Sequence, residues 1–525
     1  MRRKQLKHLE RELDDATDYA AWCELAQEHD AQSGMAQWRA VEPSDLYDAA
    51  QIRFRLDRLR DLRRRKVWQG LLFALNEGIH GNMGGMGKSV LYRQAKLGTK
   101  QLIEDYIDAI DDSLRQLADL PESVISGAQK QEFFARASKC FGRSALLLSG
   151  GGTLGFLHLG VVNTLLAEGL VPPVVSGSSA GALVAAVLGC HSDSELAFFQ
   201  DPERLSLSFE NQSGILMRLL AGGNQLVETD LDRIIAQFVP DLTFEEAFAK
   251  TGREVSITVA PAEPHQRSRL LNAITSPNVF IRSAVKASCA VPGIFPAVML
   301  TAKNVHGESQ PYLPNRRWID GSVADDLPIK RLSRLYGTNH SIVSMVNPIA
   351  TAFLRGDERR SSLSRAARKM TLGIGRESLN FYRGIAQRYG DSWPRFNKAL
   401  HGLHALLDQE YSGDINIVPS IKRVNPFRLL VQPSSDELHQ LIRLGEQTTF
   451  PKVEAIRRCT QISRTLAELM PAFQGGEKLA RVAALQASSQ GKGRSARKKA
   501  TTMSSDVAKG PKKAVKKKVP RPALH

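Results

Sequence analysis

The chain has few cysteines and no pattern among them. Five are present, Cys23, Cys140, Cys190, Cys289 and Cys459, odd in number and widely scattered, with no CxxC pair. This excludes a disulfide-stapled scaffold and gives no support for a zinc knuckle or redox pair; reduced thiols are the expectation. Long apolar runs are also scarce. Gly169 to Ser192 lacks Asp, Glu, Lys and Arg and is long enough to span a bilayer, but it contains Pro172, Pro173, four glycines and several serines. A buried strand, turn and helix fit it better than a membrane span. The first residues, MRRKQLKHLERELDD, lack the apolar core of a secretory signal, so a cytoplasmic chain that is not secreted is expected. No repeat of fixed period is present, and Gly 40 and Pro 24 exclude a fibrous class.

What is present is the composition of a globular protein: 525 residues, 42% hydrophobic and 24% charged. The net charge of +17 is uneven. The last 35 residues carry 12 Lys or Arg against the single acid Asp506, which is +11 of the total. The body is therefore only mildly basic, and the whole-chain charge is poor grounds for nucleic-acid binding; no specific nucleic acid is expected. The segment 476–525 is poor in apolar residues and rich in Lys, Ser, Gly and Pro, so it reads as a disordered basic tail. Such a tail suits contact with an anionic membrane or granule surface, phosphate contacts, or simple solubility.

Residues 1–130 show helical periodicity. In 98–120, Leu102, Ile103, Tyr106, Ile107, Ile110, Leu114 and Leu117 share one face. In 51–68, Ile52, Leu56, Leu59 and Leu62 form an apolar stripe flanked by eight basic residues from Arg53 through Lys66. That pattern suits a membrane-surface helix, but a packed helix with solvated arginines is preferred. HGNMGGMGKS superficially resembles a phosphate loop, yet Asn82 stands where the first glycine is required and a helical pattern precedes it. From about Ser144, short apolar runs alternate with helical patterns. The expected strands are Ala145–Leu148, Val174–Ser176, Val255–Val259, Arg317–Ile319, Ile342–Val346 and Ile415–Val418, in an α/β sheet flanked by helices.

Two motifs carry chemistry. ALLLSGGGTLGF places Gly150, Gly151 and Gly152 between a strand and a helix expected to begin near Gly155, a turn that aims backbone N–H groups outward. Alone it also satisfies GxGxxG and suits a dinucleotide. VVSGSSAGALVAAVLG then sets Gly177-Ser178-Ser179-Ala180-Gly181 after a strand and before an apolar helix, the context of a nucleophile elbow with Ser179 at its centre. Ser176 and Ser178 read as turn residues. None of His191, His265, His306 and His340 has a catalytic context, and His158 reads as packing. The better base is Asp320 in RRWIDGSVADDLP, a carboxylate at a strand end beside Gly321. Asp325 and Asp326 compete with it but read as capping or loop hydrogen bonding.

The ordered set GGGxxG, GxSxG and Asp-Gly resembles the patatin-like phospholipase family, as does KASCAVPGIFPAV at 286–298. The likeness spans about 144–345. WCELAQEHDAQSGMAQWR, DLYDAAQIRFRLDRLR, GNMGGMG and GTKQLIEDYI are similar to the helical domain that precedes the patatin core in yeast and plant triacylglycerol lipases. The resemblance implies a patatin-like α/β core at 144–345, a helical N-terminal domain at 1–130, a C-terminal extension of the core at 346–475 and the tail at 476–525. It implies a Ser179–Asp320 dyad without histidine, with the N–H groups of Gly151 and Gly152 as oxyanion hole and no metal or cofactor. Gly150, Gly155, Gly177, Gly181 and Gly321 are the motif glycines. The sequence departs from the family pattern at Ser149, Thr153 and Leu154, where an acid and a basic residue often stand, and at Ser322 after Asp-Gly. The implied activity is lipid acyl hydrolysis, of triacylglycerol first and as phospholipase A or lysophospholipase second, at a membrane or lipid-droplet interface with peripheral attachment. A non-catalytic lipid-surface protein retaining the fold is the alternative.

Overall fold

The computed structural model describes residues 2–196, 224–263, 266–292, 295–347, 412–419 and 434–473. The Lys-rich tail, His265 and most of 346–433 lie outside the described residues.

The N-terminal region is helical: α1 (Arg2–Asp15), α2 (Tyr19–Ser33), α3 (Met35–Ala40), α4 (Ala49–Arg64), α5 (Trp68–Gly78), α6 (Gln101–Asp119) and α7 (Gly127–Phe141). The helical run thus continues past residue 130, because Ser126 and Gln129 form a capping box that starts α7. All seven apolar residues that share a face of α6 are buried. On α4, Ile52, Leu56 and Leu59 are buried in the same core, while its arginines reach acids around it. Arg58 pairs with Glu77 at 3.2 Å, Arg60 with Asp105 at 3.1 Å and Arg63 with Asp112 at 3.2 Å. The Gly-rich loop at 81–88 forms a tight turn whose Lys88 donates to the Leu46 carbonyl.

The α/β region follows: β1 (Arg143–Leu148), α8 (Phe156–Ala167), β2 (Val174–Gly177), α9 (Ala180–Cys190), α10 (Asn224–Phe238), α11 (Phe244–Thr251), β3 (Glu254–Pro261) and β4 (Arg269–Asn272). Then come α12 (Ile281–Ser288), β5 (Thr301–Lys303), β6 (Ser309–Pro311), β7 (Trp318–Asp320), α13 (Ser322–Asp325), α14 (Ile329–Tyr336), β8 (Thr338–Ser344), β9 (Ile415–Ile417) and α15 (Ser435–Phe473). Among the described residues the main sheet runs β4-β3-β2-β1-β8-β9. β1, β2, β3, β8 and β9 are parallel. β4 runs antiparallel to β3, and β7 lies antiparallel against the far end of β3. β1 and β2 are fully apolar or small at their centres, as a strand covered on both faces requires.

Helices cover both faces. Leu146, Val175 and Ile257 point toward α8, α9 and α15, while Leu147, Val174 and Val343 face Leu332 and Tyr336 of α14. α15 joins the two regions. Its Ile442 and Ile456 enter the core of the sheet region, and its Ile462 and Leu466 enter the core of the N-terminal helices. α15 crosses α8 at backbone contact: a Cβ on Gly160 would fall 1.9 Å from the Ile442 carbonyl oxygen, and one on Gly445 would fall 2.1 Å from that of Leu157. Among the described residues no helix is long and apolar enough to cross a membrane, and Gly169–Ser192 forms the end of a turn, β2 and α9.

Candidate active site

Parallel strands in register bring their carboxyl ends to one edge. Leu148 of β1 pairs with Gly177 of β2, Gly177 pairs with Ile257 of β3, and Val259 two residues on pairs with Asp320 of β7. The glycine loop, the elbow and the Asp-Gly turn therefore leave the sheet side by side, where open α/β sheets carry their sites.

The elbow is sharply bent. Ser179 has φ 51° and ψ −124°, one of three non-glycine residues with positive φ among those described. A serine in that region is strained, and such strain persists only when its surroundings fix it. Two glycines make the bend sterically feasible. A Cβ on Gly177 would stand 2.2 Å from the Gly181 carbonyl oxygen, and one on Gly181 would stand 2.2 Å from that of Leu148. The Ser179 amide donates to Ser288 Oγ at 2.9 Å, and Ser288 in turn donates to the Thr258 carbonyl at 2.7 Å. The Cys289 thiol reaches the Ser179 carbonyl at 3.3 Å. Helix α9 starts immediately after the serine, so the positive end of its dipole lies beside the Ser179 side chain.

Asp320 is 1% exposed, and the nearby Ser179 hydroxyl favours its charged form. Its Oδ1 accepts the Ser322 N–H at 2.8 Å. Burial raises its pKa to about 6, against the opposing pull of the Ser179 hydroxyl and the Ser322 hydrogen bonds. The following Gly321 leaves no room for a side chain, since a Cβ there would lie 2.2 Å from the Thr258 carbonyl oxygen.

The glycine loop lies over this pair. A single 3-10 turn spans Gly152–Gly155 and α8 begins at Phe156, at the helix start expected near Gly155. Gly152 takes φ 54°, which favours glycine and tightens the turn. A Cβ on Gly150 would sit 2.7 Å from the Ser322 Cβ and 3.2 Å from the Ser179 Cβ, and one on Gly155 would sit 2.5 Å from the Ala180 Cβ. The Gly150 N–H donates to Asp326 Oδ1 at 2.7 Å. The amides of Gly151 and Gly152 follow it at the loop's crest.

Three neighbouring groups stand apart from the Ser179–Asp320 pair. His158 is fully buried, with Nε2 donating to the Ser149 carbonyl at 2.9 Å and Nδ1 accepting from Ser344 at 2.8 Å; burial lowers its pKa to about 4. It is a neutral brace under the glycine loop. Asp325 pairs with Arg331 at 3.3 Å. Asp326 accepts from Ser178 as well as from Gly150, so both acids take the loop roles expected of them. Ser176 lies within β2 rather than in the turn. His191, His306 and His340 stand elsewhere: His191 bonds the Val187 carbonyl, His306 is exposed on the β5–β6 turn and His340 bonds Ser144 on β1. Sequence reading assigned no role to Ser288 or Cys289, although the segment 286–298 that contains them was the available signal. Among the described residues no group of three or more His, Cys, Asp or Glu is placed to hold a metal ion.

A strained serine on a strand-to-helix turn, a facing buried carboxylate and an overlying glycine loop define an α/β protein of the nucleophile-elbow class. The patatin-like phospholipase family matches residues 146–333, and a domain of unknown function (DUF3336) matches residues 1–139. The chain is 35% identical over 466 residues to triacylglycerol lipase 4 of Saccharomyces cerevisiae, covering 84% of this chain and 50% of that protein. It is 31% identical over 505 residues to a patatin-like phospholipase domain-containing protein of Aspergillus fumigatus, covering 90% of this chain and 70% of that one. Triacylglycerol lipase SDP1L of Arabidopsis thaliana is 32% identical over 485 residues, covering 89% and 59%. The chain belongs to the patatin-like phospholipase family. It spans about half the length of the yeast lipase.

Proposed function

We propose that this chain is a serine lipid acyl hydrolase that works through a Ser179–Asp320 dyad, with triacylglycerol as its substrate. The observation that carries this reading is the strained Ser179 beside a buried carboxylate whose pKa is raised to about 6. A base of that strength remains ionised at neutral pH yet accepts a proton more readily than an ordinary aspartate.

Asp320 takes the hydroxyl proton as Ser179 Oγ attacks the ester carbonyl. The N–H groups of Gly151 and Gly152 stabilise the tetrahedral oxyanion, a contribution worth roughly 10²–10³ in rate per donor. The C–O bond to the leaving alcohol then breaks, and Asp320 returns the proton to that oxygen. Water attacks the acyl-enzyme with Asp320 again as base, releasing the fatty acid and restoring Ser179. The scheme calls for no cofactor. The substrate class rests on the names of the yeast and plant relatives. An ester of that kind is delivered from a membrane or lipid-droplet surface, with the basic tail adding attraction to anionic headgroups.

The family's phospholipase description favours a second substrate, the glycerophospholipids. Fatty-acid release from emulsified triacylglycerol and from phosphatidylcholine vesicles decides between them. Wild type is compared with Ser179→Ala and Asp320→Asn. Both variants are expected to be folded and silent. A wild type inactive on both lipids, or an active Ser179→Ala, removes the catalytic reading and favours a lipid-binding protein.

A further inference from the structure

A second buried carboxylate lies beside the dyad, and the proposed chemistry does not use it. Asp326 is 1% exposed and follows α13, just beyond the Asp-Gly turn. Its Oδ1 accepts two hydrogen bonds, from the Gly150 amide at 2.7 Å and from the Ser178 hydroxyl. The Ser178 hydroxyl also approaches the Asp326 backbone carbonyl at 3.4 Å. One carboxylate oxygen therefore joins the loop after β1 to the turn after β2, from a third segment that follows β7.

We propose that Asp326 is a positioning residue: it fixes the glycine loop against the nucleophile elbow so that the Gly151 and Gly152 amides stay aimed at the ester oxygen above Ser179. This inference rests on the Ser179–Asp320 reading and goes beyond it.

Three observations support it. Gly150 is the residue immediately before the two oxyanion donors, so holding its N–H sets the direction in which the next peptide planes face. Ser178 is the residue immediately before the nucleophile, so the same oxygen ties both neighbours of the reacting centre. The packing leaves little slack, since a Cβ on Gly150 would already stand 2.7 Å from Ser322 and 3.2 Å from Ser179. Preorganised donors act only if they do not have to reorganise during the reaction, and a shared acceptor supplies that restraint. Burial, opposed by the Ser178 and Gly150 bonds and reinforced by the neighbouring Asp320 charge, raises the Asp326 pKa to about 7. A neutral residue with an acceptor oxygen would thus fit the same place.

The test uses the full chain, a soluble p-nitrophenyl butyrate assay and a fluorophosphonate labelling rate. Asp326→Ala is expected to lower kcat by about 10²-fold, the effect of losing one oriented oxyanion donor. Its KM should stay within about threefold, and Ser179 labelling should slow in parallel. Asp326→Asn, which keeps the acceptor oxygen, is expected to recover most of the lost kcat. Ser178→Ala removes one of the two bonds and is expected to give a smaller fall in kcat at unchanged KM. A wild-type kcat in Asp326→Ala, or an equal fall in the Ala and Asn variants, overturns the proposal. If Asp326→Ala does not fold, Ser178→Ala decides: a fall in kcat alone supports the role, and an unchanged kcat overturns it. Ser179→Ala runs alongside. If it is silent while Asp326→Ala is fully active, the positioning role fails and the dyad stands; if it retains activity, the dyad itself fails.

Discussion

Replacing Asp320 by asparagine is expected to stabilise the folded protein while removing its chemistry. Burial is the largest influence on this carboxyl and holds its pKa at about 6 rather than the ordinary 3.8. At 1.36 kcal/mol per tenfold, that displacement costs the native state about 3 kcal/mol once the group is ionised in both states. The sign follows from proton binding. Between about 3.8 and 6 the folded chain holds a proton that the unfolded chain has lost, so stability falls as pH rises through this window and stays lower above it. Asparagine removes the charge and keeps an oxygen for the Ser322 N–H. Its buried amide N–H groups, facing the same site, offset roughly 1 kcal/mol of this. The balance at pH 8 is about 2 kcal/mol in favour of the variant, or about 4 °C in Tm for a large domain. Scanning calorimetry of wild type and variant at pH 8 and pH 5 reads the effect, and roughly half of the charge-related gain should remain at pH 5. His158, kept neutral with its pKa lowered to about 4, acts in the opposite direction over a similar range. Comparing the two proteins at each pH cancels its contribution. A lower Tm for Asp320→Asn at pH 8, or a gain that does not change with pH, would refute the picture of an ionised carboxylate held at a desolvation cost.

Other outcomes follow from the same geometry. In the proposed scheme Asp320 is ionised when it accepts the Ser179 proton, so kcat/KM should fall tenfold per pH unit below about 6. A profile flat to pH 4.5 on a soluble ester would exclude Asp320 as the base. Gly181→Ala places a methyl 2.2 Å from the Leu148 carbonyl oxygen, a backbone atom that cannot yield. The variant is expected to be inactive or insoluble on expression, and an active, soluble product would contradict the elbow as described. Leu56→Ala, at a fully buried position on α4, should cost about 2–5 kcal/mol in a denaturant titration and leave kcat near wild type at 20 °C.

The sheet was largely legible in the sequence because strands covered on both faces must be apolar throughout. All six expected strands are present, with ends shifted by a few residues; β8 begins at Thr338, ahead of its apolar run. β4, β5 and β6 were missed because they are short or exposed, and the three residues of β6 are all exposed. Around the site, the glycine loop and the elbow were legible because each is contiguous, with its glycines demanded by local contacts. The roles of Ser288 and Asp326 were not. Ser288 meets Ser179 across 109 residues of chain, and Asp326 meets Gly150 across 176, so no spacing rule connects them. The two-part reach of α15 was equally hidden, since its periodicity does not say which core each turn enters.

The crossing of α8 by α15 sets a timetable for assembly. The helix that carries the glycine loop at its start rests its Gly160 directly on the backbone of Ile442, which the ribosome adds long afterwards. Until the segment through Phe473 has emerged, α8 lacks its cover and the N-terminal helices lack Ile462 and Leu466. Ser179 and its glycine loop are thus synthesised well before the helix that covers the far side of α8.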